Sequence, residues 1–366
     1  MWKTQDEFPT PAVVVDLDVV EQNLKQMHDS AQRYGLEHRP HIKTHRCVEL
    51  AKMQLAVGSV GITCAKLGEA EVMADAGIDN IFLAYPLIGR EKVERLLALH
   101  KRCKVLRTEV NSYEGAKGIS DVFEAAGRVC DVLIEIDGGL NRGGVQLGQP
   151  TLDFANQIRE LKGLHIIGLM YYGGVIYHVG GMDKIREYTQ KEHDDLINTA
   201  DLLRQAGFDM AVLSAGSSFS GKHPDLLKGI TEIRSGNYIF NDGSALEVGL
   251  ATPEQCALRV IATVASRPDD HTAILDVGSK TLTTDRCNYG QNYGYIVEHP
   301  ELELYSLNEE HGFVRSKEEM PLHIGDRVSI VPNHACVVPN VAGELYAVRK
   351  GQFVKMLHVD ARGKSY

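Results

Sequence analysis

Val132-Leu133-Ile134-Glu135-Ile136 is an apolar run, and Asp137-Gly138-Gly139-Leu140-Asn141-Arg142-Gly143-Gly144 follows it directly, a Gly-rich loop carrying one arginine. Beyond the loop, residues 152–161 return apolar side chains at helical spacing, so the stretch reads as strand, loop and helix. The same unit recurs on both sides. Strand-like runs lie at 60–65, 80–84 and 104–110 before it, and at 164–170, 210–213 and 230–234 after it. Amphipathic helical patterns fill the gaps at 68–76, 91–100, 112–126 and 184–206. With a first strand that ends at Lys43, eight strands alternate with helices at a spacing of roughly thirty residues, the pattern of parallel βα units. Eight units predict a closed (β/α)8 TIM-like barrel, placed at residues 16–245. No G-x-G-x-x-G follows the first strand, which speaks against a dinucleotide-binding sheet.

Ahead of the barrel, residues 12–15 form a pure apolar strand that fits either part of the chain. Asp18 with Glu21 reads as a capping box that opens a helix running through Leu24 and Met27 and stopping near Gly35. After about Ala245 the pattern changes. Short, often alternating runs at 257–266, 272–276, 294–297, 302–306, 311–314, 327–331 and 345–349 are separated by turn residues and predict a C-terminal all-β domain. Residues 1–15 and 246–366 are assigned to it. Asp276 to Lys280 and Gly290 to Tyr295 read as loops of that domain, and Glu309-Glu310-His311 as a solvated turn.

Composition bounds the function. The chain has 366 residues, 43% hydrophobic and 24% charged, as in ordinary globular proteins. A net charge of −10 argues against nucleic acid or an anionic membrane as partner. No uncharged apolar run has the length of a membrane span, and residues 1–10 contain no apolar signal core. Seven cysteines, an odd number without a C-x-x-C pair, suggest reduced thiols in a cytoplasmic protein.

Lys43 lies in Glu37-His38-Arg39-Pro40-His41-Ile42-Lys43-Thr44-His45-Arg46. By itself it reads two ways, as a solvated strand residue or as an amine whose cationic neighbours favour its neutral, nucleophilic form. Position in the fold decides between them. Barrel chemistry sits at the C-terminal strand ends. There Lys43 faces the Asp137–Gly144 loop, Tyr171-Tyr172-Gly173-Gly174, Ser214-Ala215-Gly216-Ser217-Ser218, and Arg234-Ser235-Gly236-Asn237-Tyr238. Any one of these glycines is explained by a tight turn. Together at one rim, small and hydroxylic residues after the seventh and eighth strands suit a phosphate cradle of backbone N–H groups. A lysine opposite such a cradle, with arginines alongside, suggests pyridoxal 5′-phosphate (PLP).

These pieces carry a resemblance. Thr10-Pro11-Ala12, Arg39 to His45, Glu135-Ile136-Asp137 through Gly144, Ser214 to Ser217, Arg234 to Tyr238 and Pro332-Asn333-His334-Ala335-Cys336 resemble, in order, the fold-type III PLP enzymes of the D-threonine aldolase / D-serine dehydratase group, relatives of alanine racemase. The resemblance spans nearly the whole chain. It implies that Lys43 carries PLP and then acts as a base on Cα, and that Arg142 bonds the ring hydroxyl. Gly216, Ser217, Gly236 and Asn237 would hold the phosphate, with Tyr238 nearby and Tyr172 lining the site. Arg234 falls where alanine racemases place the arginine facing the pyridine nitrogen. A head-to-tail homodimer is implied as well.

His334-Ala335-Cys336 alone is a weak metal signal. On an extended strand, residues two apart share a face, and imidazole plus thiolate suits Zn²⁺, or Mn²⁺ less comfortably. The resemblance implies a divalent metal here (Zn, Mn or Mg) beside the substrate β-hydroxyl. One departure bears on the reaction. Many aldolases of the group carry Tyr-x-Gly-His after the sixth strand, whereas here the run is Tyr172-Gly173-Gly174-Val175; His178, three residues on, reads as a substitute if the loop is helical or folded back, and otherwise as an ordinary loop residue. The implied activity is metal-assisted retro-aldol cleavage of a small D-β-hydroxy-α-amino acid. D-Serine or 3-hydroxy-D-aspartate dehydration is the rival; an amino-acid racemase, which needs no H-x-C pair, and a non-catalytic PLP carrier are less favoured.

Overall fold

Strand β1 (Ala12–Asp16) runs straight into helix α1 (Leu17–Arg33). The structure, a computed structural model, describes residues 8–287, 290 and 292–366; residues 1–7 of the expected β-domain segment and Gln291 of the expected 290–295 loop lie outside the described residues. Asp16 sets the start of α1, its Oδ1 accepting the N–H groups of Asp18 and Val19 at 2.9 and 3.2 Å. This corrects the expected Asp18–Glu21 capping box. The cap is the last residue before the helix, and Asp18 and Glu21 accept from Arg349 instead, at 3.1 Å each.

Next come β2 (Glu37–His38), α2 (Val48–Ala56), β3 (Ile62–Cys64), α3 (Leu67–Asp75), β4 (Asn80–Leu83), α4 (Arg90–His100), β5 (Val105–Val110), α5 (Tyr113–Ala125), β6 (Cys130–Asp137), α6 (Gln149–Ile158), β7 (Leu164–Tyr172), α7 (Met182–Gln205), β8 (Val212–Ala215) and β9 (Glu232–Ile233). Strands β2 to β9 form one parallel eight-stranded sheet in the order β2-β9-β8-β7-β6-β5-β4-β3. Its ends meet: His41 bridges Thr63, the Thr63 N–H donates to Pro40 O at 2.8 Å, and the Val60 N–H donates to His38 O at 3.0 Å. The predicted TIM-like barrel is what forms. The first strand ends at His38, not at Lys43. Pro40 has no N–H to extend the ladder, and Ile42–Thr44 makes a single 3-10 turn.

The barrel interior mixes two kinds of side chain. Phe82, Leu133, Ile167 and Met170 form an apolar cluster. Beside them Arg39, Arg107 and Glu232 are paired, with Glu232 Oε2 accepting from Arg39 Nε at 2.9 Å and from Arg107 Nη1 at 3.2 Å. This unit comprises Gln26–Lys43, Leu50–Gly236 and Gly363–Tyr366.

The other unit comprises the chain up to Lys25, Thr44–Glu49 and Asn237–Arg362. It carries the short helix α8 (Gly243–Glu247) and strands β10 (Leu258–Asp269), β11 (Thr272–Leu275), β12 (Gly294–Ile296), β13 (Glu303–Leu307), β14 (Gly312–Arg315), β15 (Arg327–Pro332), β16 (Glu344–Arg349) and β17 (Gln352–His358). Strand β1 pairs antiparallel with β10 and parallel with β16, and Phe8, Ala12, Val14, Ile261 and Val348 pack together there. Strand β17 was not expected, because most of its residues are exposed and no alternation marks it. Residues 309–311 are exposed, as a solvated turn should be. Among the described residues no helix is long and apolar enough to cross a membrane.

One expectation about the β unit is corrected. Strand β15 stops at Pro332, so His334 and Cys336 lie on a turn and not on an extended strand. The chain bends because Asn333 Nδ2 donates to Asp285 O and Asn292 O at 3.1 and 2.8 Å, while the Ala335 N–H goes to Asp242 Oδ2 at 2.9 Å.

Candidate active site

In the barrel unit, Lys43 is exposed on its 3-10 turn, and its Nζ lies 5.8 Å from the centroid of the Tyr172 ring. Arg142 Cζ stands 4.5 Å from the same ring. Three of the expected residues therefore meet at one aromatic ring. Tyr172 is there because it ends β7. Arg142 is there because Asp137 organises its loop, accepting from the Gly139 and Asn141 N–H groups at 3.0 and 3.2 Å and from Gln146 Nε2 at 3.2 Å. Gly138 is required in this loop, since a Cβ on it would sit 2.1 Å from Tyr172 O.

Arg234 is anchored on both edges, Nη1 donating to Ser214 Oγ at 2.5 Å and Nη2 to Tyr171 O at 2.7 Å. Ser214 Oγ in turn donates to Glu232 Oε1 at 2.7 Å, which links Arg234 to the buried Arg39–Glu232 pair. Burial, and then the charges of Lys43, Arg234 and Arg142, push His41 well below the ordinary imidazole range. His41 is therefore neutral at pH 7. Glu109, which faces Leu133 in the β5–β6 register with Glu135 two residues on, is pushed well above the carboxylate range by burial and then by Glu135. Its Oε2 is buried with no hydrogen-bond partner among the described residues.

The loops after β8 and β9 carry the expected cradle residues. Gly216 has φ +78°, and a Cβ there would lie 2.8 Å from Ile233 Cβ. Its N–H is held by Glu192 Oε1 at 2.9 Å. The N–H groups of Ser217, Ser218 and Gly236 point to hydroxyls, at 2.8 Å from Ser220 Oγ, 3.1 Å from Tyr177 Oη and 3.3 Å from Ser218 Oγ.

His178 ends the 3-10 helix Gly174–His178 and is exposed. With three residues per turn, a 3-10 helix stacks His178 over Val175, whose side chain lies towards Gly139.

In the β unit, Asn237 and Tyr238 belong to the 3-10 turn Asn237–Ile239, with Tyr238 buried. His334 Nδ1 lies 3.1 Å from Asp242 Oδ2, and Thr44 Oγ1 lies 3.1 Å from Cys336 Sγ. His334 and Cys336 are themselves hydrogen-bonded, and the Cys336 sulfur and then Asp242 hold the imidazole well above its ordinary value. Asp242, Glu109 and Glu232 were not foreseen. Each is a carboxylate in a position where the local sequence gives no sign of burial.

A family model described as the alanine racemase N-terminal domain matches residues 15–243, and one described as a putative serine dehydratase domain matches residues 257–348. A D-threonine aldolase of Arthrobacter sp is 33% identical over 361 residues, 97% of this chain and 93% of that protein. The chain belongs to the D-threonine aldolase / D-serine dehydratase family of alanine racemase-like enzymes. The solved D-threonine aldolase of Filomicrobium marinum superposes with TM-score 0.89 at 31% identity, covering 98% of this chain and 97% of that one. The D-threo-3-hydroxyaspartate dehydratase of Delftia sp. HT23 does so at TM-score 0.89 and 28% identity, covering 97% and 98%; a cysteine-to-alanine variant of an enzyme of that name is described as metal-free.

Members of the aldolase/dehydratase family are PLP-dependent lyases, and this chain is one of them. Its residues fit the cofactor. The barrel unit supplies an exposed amine near an aromatic ring, and hydroxyls able to turn and donate to an anion. The H-x-C turn fits a metal with open positions. Asp242 occupies Nδ1 of His334, which leaves Nε2 as the donor beside the Cys336 sulfur. Among the described residues no group of three or more His, Cys, Asp or Glu side chains is placed to hold a metal ion, and His334 and Cys336 are the residues of this turn that would hold one.

Proposed function

We propose that this chain is a PLP- and divalent-metal-dependent lyase of D-threonine aldolase type, cleaving D-β-hydroxy-α-amino acids to glycine and an aldehyde. The observation that carries the proposal is the convergence of Lys43 and Arg142 on the Tyr172 ring. PLP, when bound, withdraws electrons from the substrate Cα, and a divalent metal lowers the pKa of the β-hydroxyl. Lys43 holds the cofactor through Nζ and, once displaced, moves a proton at Cα. Arg142 bonds the ring hydroxyl. Arg234, fixed by Ser214 and Tyr171, faces the pyridine nitrogen. Gly216, Ser217, Gly236 and Asn237 bind the phosphate, with Tyr238 behind them and Tyr172 against the ring. His334 Nε2 and Cys336 Sγ hold the metal, for which Zn, Mn and Mg are the choices. His178 is the available proton carrier on the Val175 side.

One observation favours the dehydratase alternative. Val175 cannot move a proton from the β-hydroxyl, a step that elimination does not need, because Lys43 takes the Cα proton and the hydroxyl leaves. The test is incubation with D-threonine and D-serine, with and without a chelator. Acetaldehyde with glycine means aldolase; 2-oxobutanoate or pyruvate with ammonia means dehydratase. Neither product from either substrate overturns the lyase assignment, and turnover indifferent to chelator overturns the metal.

An odd count of seven cysteines without a C-x-x-C pair supports a cytoplasmic, reducing location. A homodimer is proposed from the family resemblance; light scattering on the purified chain checks it.

A further inference from the structure

Asp242 has no part in the chemistry just described, yet it joins two of its components. Its side chain is fully buried. Oδ1 caps helix α8 by accepting the Ala245 N–H at 3.4 Å. Oδ2 receives three donors: Asn237 Nδ2 at 2.5 Å, the Ala335 N–H at 2.9 Å and His334 Nδ1 at 3.1 Å. Asn237 is a proposed phosphate ligand and His334 a proposed metal ligand, so one oxygen atom holds a side chain from each site.

We propose that Asp242 is a positioning residue that couples metal binding at His334 and Cys336 to anion binding at Asn237, so that each ligand strengthens the other. The proposal rests on the assignments made under Proposed function. With Nδ1–H held by an acceptor, Nε2 is the nitrogen that gives up its proton and offers a lone pair to a metal. A metal at Nε2 withdraws electrons from the ring and makes Nδ1–H a stronger donor, which tightens the bond to Oδ2. The coupling is one of position: a carboxylate held from His334 and the Ala335 N–H keeps one rotamer, the Asn237 nitrogen that donates to the same oxygen is presented in one orientation, and less ordering is left for an incoming phosphate to impose. By linkage the reverse holds with the same factor.

Isothermal titration calorimetry on protein stripped of both ligands tests this without reference to turnover. Zn²⁺ is titrated with and without PLP, and PLP with and without Zn²⁺. In the wild type each ligand should bind at least ~5-fold more tightly in the presence of the other, by equal factors. Asp242→Asn sets an amide N–H against donors, so coupling should fall to about one and Zn²⁺ affinity by about 10–100-fold. Asn237→Ala leaves Asp242 and the cap of α8 intact and serves if Asp242→Asn fails to fold. It should abolish the coupling while Zn²⁺ alone binds as in the wild type. Independent binding of the two ligands by the wild type, or coupling that survives in Asn237→Ala, overturns the inference and leaves the proposed function standing. Wild-type protein that binds no Zn²⁺ overturns the metal assignment, and the inference with it.

Discussion

Replacing Glu232 by glutamine removes the counter-charge from the centre of the barrel. Glu232 and Arg39 have side chains 2% and 1% exposed, and Arg107 is 15% exposed, so the two guanidinium groups would be left without a carboxylate in a site that water hardly reaches. Breaking a buried pair by removing one partner costs about 3–5 kcal/mol, most of it the penalty on the stranded charge. At about 2.1 cal/mol/K per residue, a barrel unit of roughly 200 residues has an unfolding entropy near 0.4 kcal/mol/K, so Tm should fall by about 7–12 °C. Differential scanning calorimetry at pH 7 measures it. Lys117→Ala, which breaks a pair with both side chains about half exposed, is the control and should move Tm by less than about 1 °C. The pH dependence has a definite sign. Burial alone would raise the Glu232 pKa, but Arg39 and Arg107, with Ser214, outweigh it and hold the pKa below the ordinary value. Its contribution is therefore complete above the ordinary glutamate pKa and is lost as pH falls through the lower, folded value. The gap between wild type and Glu232→Gln should narrow in acid. A variant that melts within about 2 °C of wild type at pH 7 would refute the view that this ion pair holds the barrel interior together.

Glu109→Gln should do the opposite. The folded state holds a proton on Glu109 that the unfolded chain releases, so wild-type stability should decline relative to the variant by about 1.4 kcal/mol per pH unit as pH rises from the ordinary glutamate pKa towards the folded one. Denaturant titrations of both proteins from pH 5 to 8 check it, and parallel curves would refute it. Gly216→Ala places a Cβ at φ +78° and 2.8 Å from Ile233 Cβ, which should cost about 1–3 kcal/mol and weaken PLP binding, measured by cofactor absorbance on dilution. Cys336→Ala should lower Zn²⁺ affinity by more than the ~10–100-fold typical of an outer-shell change. Elemental analysis after dialysis would expose the error if the variant retained one metal per chain.

The barrel was legible because its strands are continuous apolar runs and its helices amphipathic, two periods that cannot be confused over eight repeats. The nearness of Lys43 and Arg142 to the Tyr172 ring reflects Tyr172 ending β7 and Arg142 lying in the loop after β6, while Lys43 lies on a 3-10 turn beyond the end of β2. Tertiary context escaped the reading. Asp16 and Asp18 are equally good caps in sequence, and only the point where β1 ends chooses between them. The H-x-C pair was expected to share a strand face, yet it meets on a turn bent by Asn333 and Asp242, residues 91 positions apart in the chain. Glu109, Glu232 and Asp242 look like any solvated acids, because burial of a charge depends on partners that no local window contains.

Strand β1 has a consequence for how the protein is made. Four of its five residues are Ala or Val, all five are buried, and Val14 takes its place between Arg259 and Tyr346. A ribosome adding about 5–20 residues per second makes β1 before its partners and needs on the order of 15–65 s to go from Val14 to Tyr346. Until β10 has been made, this apolar, β-branched segment has neither of its native strand neighbours, the condition in which such segments pair with each other on adjacent nascent chains. Synthesis from one end thus sets this enzyme a burden that its finished stability does not reveal.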